Sequence, residues 1–186
     1  MNGLFEAAQE VSDFMTEREW KFCLIGGLAV QHWGEPRTTL DADFTLLTGW
    51  GEEASYVKTL LGRFESRISD AHDFALSRRI LLLKATNGTD IDVALGALPF
   101  EEIMIDRSVA IKFGPGIFLP CCTAEDLFIM KAFAGRPRDW QDARGVYVRK
   151  GTLDVNYILH HLTALCELRD DKETLERVKR LIEANE

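Results

Sequence analysis

The sequence predicts an α/β chain, α+β in the strict sense, with a small helical C-terminal region. Apolar strand-like runs fall within residues 20–120, and helical periodicity dominates after them. Residues 22–47, FCLIGGLAVQHWGEPRTTLDADFTLL, read as strand, Gly-Gly turn, short helix and second strand. There is no internal repeat and no low-complexity linker. The two parts are therefore expected to be tightly joined, with residues 1–122 as the α/β domain and 123–186 as a helical region packed on it.

The elements follow in order. Leu4, Ala7, Ala8, Val11 and Phe14 recur near the helical period and predict an opening helix over 4–18. Strands are expected at 21–25 and 40–47, with a short helix over 28–33 ended by Gly34 and Pro36. Val57, Leu60, Leu61 and Phe64 give the inner face of a helix over 52–64. Two apolar strands, 79–85 and 91–95, flank Asn87-Gly88, the strongest short hairpin signal. A short helix over 99–106 and strands at 109–113 and 117–119 follow. Thr123 and Asp126 form a capping pattern that opens a helix over 124–134. Further helices are expected at about 138–149, 154–168 and 171–184, the last with Glu173/Arg177 and Glu176/Arg180 as solvated pairs.

Composition narrows the function. With 186 residues and ordinary apolar content, the chain suffices for one well-buried domain. No apolar run approaches a membrane span, and the acidic, amphipathic N-terminus is not a signal peptide. Cys23, Cys121, Cys122 and Cys166 fit no zinc spacing, so a reduced cytoplasmic chain is the simplest reading. A net charge of −8 argues against broad non-specific nucleic-acid binding. Residues 131–150 run against that balance, with six basic and two acidic side chains, net +4.

The chemistry lies around Asp41 and Asp43. Alternation along an extended segment puts Arg37, Thr39, Asp41 and Asp43 on one side and Leu40, Ala42 and Phe44 on the other, against a core. Adjacent carboxylates repel and need a cation. A hard divalent ion such as Mg²⁺ suits carboxylate oxygens and keeps positions open for phosphates. Gly26-Gly27, just before a helix, is where backbone N–H groups cradle a phosphate. Metal and phosphate together point to nucleotide chemistry. A third carboxylate is expected on a neighbouring strand, and Asp92 is preferred to Asp90, which lies at the hairpin turn.

Gly26-Gly27, a short helix, Arg37-x-Thr39-x-Asp41-x-Asp43 and the later Asp92 resemble the nucleotidyltransferase fold superfamily, related to DNA polymerase beta. The closest patterns are the AbiEii-like enzymes, which include toxins of toxin–antitoxin and phage-defence systems, and the small lincosamide and aminoglycoside nucleotidyltransferases. The resemblance implies a nucleotidyltransferase-fold mixed sheet flanked by helices. It implies a two-metal Mg²⁺ site on Asp41, Asp43 and Asp92, with a nucleoside triphosphate as donor. Asp41 and Asp43 would hold the triphosphate's metal, and Asp92 would help to deprotonate the acceptor hydroxyl. Gly26 and Gly27 would admit the β- and γ-phosphates. Arg37 would pair with a phosphate or brace Asp43, and Thr39 lies on the same face.

The stretch from Glu125 through Lys131, Arg136, Asp139 and Asp142 resembles the AbiEii-like Glu-Asp-Leu…Lys…Arg-x-x-Asp-x-x-Asp pattern, in which the lysine reaches the nucleotide phosphates. Leu127, Met130 and Ala134 are expected as a core stripe with Lys131 at its edge. Asp139 and Asp142 would cap a helix, pair with Arg136 or Arg138, or orient Lys131, and an orienting role is favoured for Asp142. The resemblance covers residues 20–145 and departs from longer AbiEii-type toxins in the short C-terminal region. The acceptor is thus RNA or a small molecule such as an antibiotic, and an antitoxin protein is an implied partner. The reading from a different class is a non-catalytic nucleotide- or partner-binding protein on the same fold.

Overall fold

The computed structural model describes residues 2–184, which divide into two compact units. One comprises the chain up to Leu28 together with Thr38–Cys122. The other comprises Ala29–Arg37 together with the chain from Thr123 onward.

The first unit holds helix α1 (Asn2–Thr16), strand β1 (Phe22–Ile25), the start of α2 (Gly26–Trp33), β2 (Asp41–Leu47), α3 (Glu53–Leu61), β3 (Glu65–Ser66), α4 (Ala71–Arg78), β4 (Ile80–Lys84), β5 (Asp90–Gly96), α5 (Pro99–Asp106), β6 (Val109–Gly114) and β7 (Ile117–Cys121). The strands form a mixed seven-stranded sheet in the order β3-β4-β5-β2-β1-β7-β6. β2 runs parallel to β5 and antiparallel to β1. The Asn87-Gly88 turn joins β4 and β5 as an antiparallel hairpin, with Gly88 at φ +82°.

A main layer of the core lies on one face of this sheet, while Cys23 and Thr45 are fully buried on the other. Ala42 and Phe44 of β2 and Ile91 and Val93 of β5 are fully buried and face one another across the parallel pair. Leu81 and Leu83 of β4 continue the layer. α1 buries Ala7, Ala8, Val11 and Met15, and its Phe14 meets Phe64 edge-on at 5.2 Å.

The second unit is helical: the rest of α2, then α6 (Ala124–Ala134), α7 (Pro137–Lys150), α8 (Val155–Arg169) and α9 (Lys172–Glu183). Thr123 caps α6 by accepting the Asp126 N–H, and its hydroxyl donates to the Asp126 carboxylate at 2.6 Å. The Tyr157 hydroxyl donates to the other Asp126 oxygen, tying α8 to α6. No helix among the described residues is long and apolar enough to cross a membrane.

Two local expectations are corrected. Leu40 is 82% exposed, because pairing in β2 begins only at Asp41. α6 is buried nearly all round, through Leu127, Phe128, Ile129, Lys131 and Ala132, whereas Met130 is half-buried and Ala134 exposed. In α9, Glu173, Glu176, Arg177 and Arg180 are all exposed, as expected of a solvated face; Glu176 also pairs with Lys179, and Arg177 lies over the Trp140 ring. β3 and α4 have no counterpart in the sequence reading.

Phe44 is the largest fully buried side chain in the central strands. Phe44→Ala is expected to lower the unfolding free energy by about 3–5 kcal/mol, measured by urea denaturation.

Candidate active site

The sheet alternation that buries Ala42, Phe44, Ile91 and Val93 turns Asp41, Asp43, Asp90 and Asp92 to the opposite face. Because β2 and β5 are parallel and in register, Asp41 pairs with Asp90 and Asp43 with Asp92. Four carboxylates thus occupy two adjacent rows, at a strand spacing of about 4.8 Å. Asp41, Asp43 and Asp92 each offer an oxygen within 4.8 Å of the others. Hard carboxylate oxygens at that separation suit Mg²⁺ or Mn²⁺, and they lack the nitrogen and sulfur donors that zinc prefers.

The surrounding backbone aims these carboxylates. Thr39 Oγ1 donates to Asp41 Oδ1 at 2.7 Å. The Gly27 N–H donates to Asp43 Oδ2 at 3.1 Å. Gly26 has φ +62°, and a Cβ there would stand 2.0 Å from Asp43 Oδ2. A Cβ on Gly27 would stand 2.3 Å from Thr39 Oγ1. The glycines expected to face phosphates therefore also make room for Asp43 and Thr39, and helix α2 begins at Gly26 itself.

Arg67, unmarked in the sequence reading, completes this face. Its backbone N–H bonds to Leu82 O at 3.1 Å, continuing the β3–β4 ladder by one residue. Leu82 lies opposite Asp92, so Arg67, Leu82, Asp92 and Asp43 form one cross-strand row. The Arg67 guanidinium donates to Asp90 Oδ2 at 3.0 Å and to Asp92 Oδ1. Burial pushes the Asp92 carboxyl above its ordinary range; Arg67 pulls it down, and Asp41 and Asp90 push it up.

The second unit holds its own charged cluster. Arg37 donates to both Asp142 oxygens, through Nε at 2.9 Å and Nη2 at 3.1 Å. Lys131 Nζ lies 3.0 Å from Asp142 Oδ2 and 3.0 Å from Asp139 Oδ1. Arg136 Nε donates to Asp139 at 2.5 Å. Asp139, Asp142 and Lys131 are all buried. The two carboxyls are held below their ordinary range: burial raises them, but Arg136 and Lys131 at Asp139, and Arg37 and Lys131 at Asp142, outweigh it. The structure thus brings Asp41, Asp43, Asp92, Thr39, Gly26 and Gly27 together in one unit, and Lys131 and Arg37 together in the other.

The sign of the pH effect follows. The unfolded chain binds protons on Asp139 and Asp142 more readily than the folded one, so their contribution is fully present above the ordinary carboxylate pKa and lost as pH falls through the lower folded values. Relative to Asp139→Asn/Asp142→Asn, the wild type should lose stability steeply below about pH 4 in urea unfolding measured against pH. Lys131→Met at neutral pH leaves both carboxylates without their shared cation and is expected to cost about 3 kcal/mol.

Residues 17–184 match the AbiEii family, nucleotidyl transferase AbiEii toxin, Type IV TA system. No curated protein sequence is significantly similar to the chain. Among solved structures, it is similar to an antigenic nucleotidyltransferase-like protein from Paracoccidioides brasiliensis, with TM-score 0.52 and 13% identity over 93% of this chain and 92% of that one. The antibiotic-resistance factor ANT(2'')-Ia gives TM-score 0.49 and 17% identity over 96% and 94%. The lincomycin-bound lincosamide adenylyltransferase LnuA gives 0.45 and 13% over 74% and 92%. The mixed sheet with its flanking helices is the nucleotidyltransferase fold, and the chain belongs to the AbiEii family of nucleotidyl transferases.

Proposed function

We propose that this nucleotidyltransferase moves a nucleoside monophosphate from a triphosphate donor to a hydroxyl of an RNA acceptor, with Mg²⁺ held by Asp41, Asp43 and Asp92. The observation that carries the reading is the convergence of those three carboxylates within 4.8 Å. Bound there, the divalent ions would polarise the phosphates and offset the charge that develops on the attacking and leaving oxygens. Asp41 and Asp43, aimed by Thr39 and by the Gly27 N–H, would hold the donor's cation. Asp92 would take the acceptor's proton. Gly26 and Gly27 keep that corner of the backbone bare for the triphosphate.

Lys131 and Arg37 are proposed to act on the donor's phosphates, with Asp139 and Asp142 fixing their orientation. The choice of RNA is supported by the exposed cations Arg136, Arg138, Arg144, Arg149 and Lys150 of the helical unit. The family's toxin type supports an antitoxin protein as partner. The four cysteines are all buried, which fits the reducing cytoplasm where we put the enzyme.

The test offers four α-labelled nucleoside triphosphates with Mg²⁺ to total RNA and, separately, to a panel of aminoglycosides and lincosamides. Label on RNA, reduced at least roughly a hundredfold in Asp41→Asn/Asp43→Asn and abolished by EDTA, is the expected result. Label on a drug instead would transfer the reading to a small-molecule acceptor. Triphosphate binding without transfer to either would favour a non-catalytic nucleotide-binding role.

A further inference from the structure

Arg67 touches the acidic face where a cation would bind. Asp41, Asp43, Asp90 and Asp92 place four negative charges in two rows, and Arg67 sets one positive charge against the β5 pair. One guanidinium nitrogen goes to each carboxylate. Asp92 thereby shares an oxygen with a resident cation while lying within ligand distance of Asp41 and Asp43. Arg67 Nε is buried and has no hydrogen-bond partner. The head group is therefore tethered to the acids by its two terminal nitrogens, with no bond at Nε to pin it further.

We propose that Arg67 is a built-in counter-ion that competes with the divalent cation for Asp92 and so sets the cation affinity of the site. The inference rests on the reading of Asp41, Asp43 and Asp92 as metal ligands. A divalent ion arriving alone meets a site already part-neutralised and a guanidinium within hydrogen-bond reach of one ligand. An ion arriving on a triphosphate brings further negative charge, which offsets the repulsion from Arg67. The site consequently favours a cation delivered with the nucleotide over free metal. Arg67 is a positioning residue in this account, since it acts through Asp92.

The experiment titrates the full-length protein with Mn²⁺ alone, counting free ion by electron paramagnetic resonance, without nucleotide. The same titration on Asp41→Asn/Asp43→Asn gives the binding by surface carboxylates, which is subtracted. Arg67→Gln is expected to bind Mn²⁺ roughly tenfold more tightly than wild type, the effect of removing one charge about 5 Å from a divalent ion in a well-solvated site. Arg67→Lys, which keeps the charge, should stay near wild type. Arg67→Met repeats the neutral substitution should the glutamine variant fail to fold by circular dichroism.

Wild-type or weaker affinity in the neutral variants would overturn the proposal, because Arg67 would then merely hold Asp92 in place. If the Asp41→Asn/Asp43→Asn change removes wild-type binding while the Arg67 variants match wild type, this inference fails and the metal-site reading stands. If that double change removes no binding from either wild type or Arg67→Gln, both fail.

Discussion

Repulsion between carboxylates held in register across two parallel strands is the constraint on which the active face depends. The hydrophobic effect puts Ala42, Phe44, Ile91 and Val93 on one side of β2 and β5. The pleat then leaves no choice for the acids, which must share the other side. Parallel pairing aligns Asp43 with Asp92 and Asp41 with Asp90. The core thus supplies the free energy that crowds these charges together. Thr39, the Gly27 N–H and Arg67 each stabilise one or two of them with a hydrogen bond or ion pair. A site built this way is short of positive charge, which a divalent cation would relieve.

The helical unit uses the same residue type in the opposite electrical setting. Asp139 and Asp142 each have two cationic partners, so their protons leave more readily than usual. Asp92 has one cation and several anionic neighbours, so its proton is held more firmly. Burial alone does not separate these cases, since it raises all three. The balance of partners does. Carboxylates that stay ionised serve as anchors for Lys131 and Arg37.

Much of this was legible in the sequence because it rests on period-two alternation and turn chemistry. Asp41-x-Asp43 and the Asn87-Gly88 hairpin leading into Asp92 are local patterns, and local patterns survive without tertiary context. Helices α5 and α6 emerge at the expected bounds, where Pro99 and the Thr123 cap mark the starts. What was missed is non-local. β3 has two residues, too few to carry a period, and Arg67 gains its meaning only when that fragment pairs with β4. Leu40 was assigned to the core because alternation says nothing about where pairing begins. The hold of Asp142 on Arg37 joins residues more than a hundred positions apart, which no spacing rule reaches.

The most direct test of the account is where a cation goes. Crystals grown with Mn²⁺ and a non-hydrolysable nucleoside triphosphate, measured at the manganese absorption edge, would locate the ion by anomalous scattering. The account predicts anomalous density among Asp41, Asp43 and Asp92, with the Arg67 guanidinium turned away from Asp92. Density elsewhere, or nucleotide bound with no ion between those three carboxylates, would contradict it.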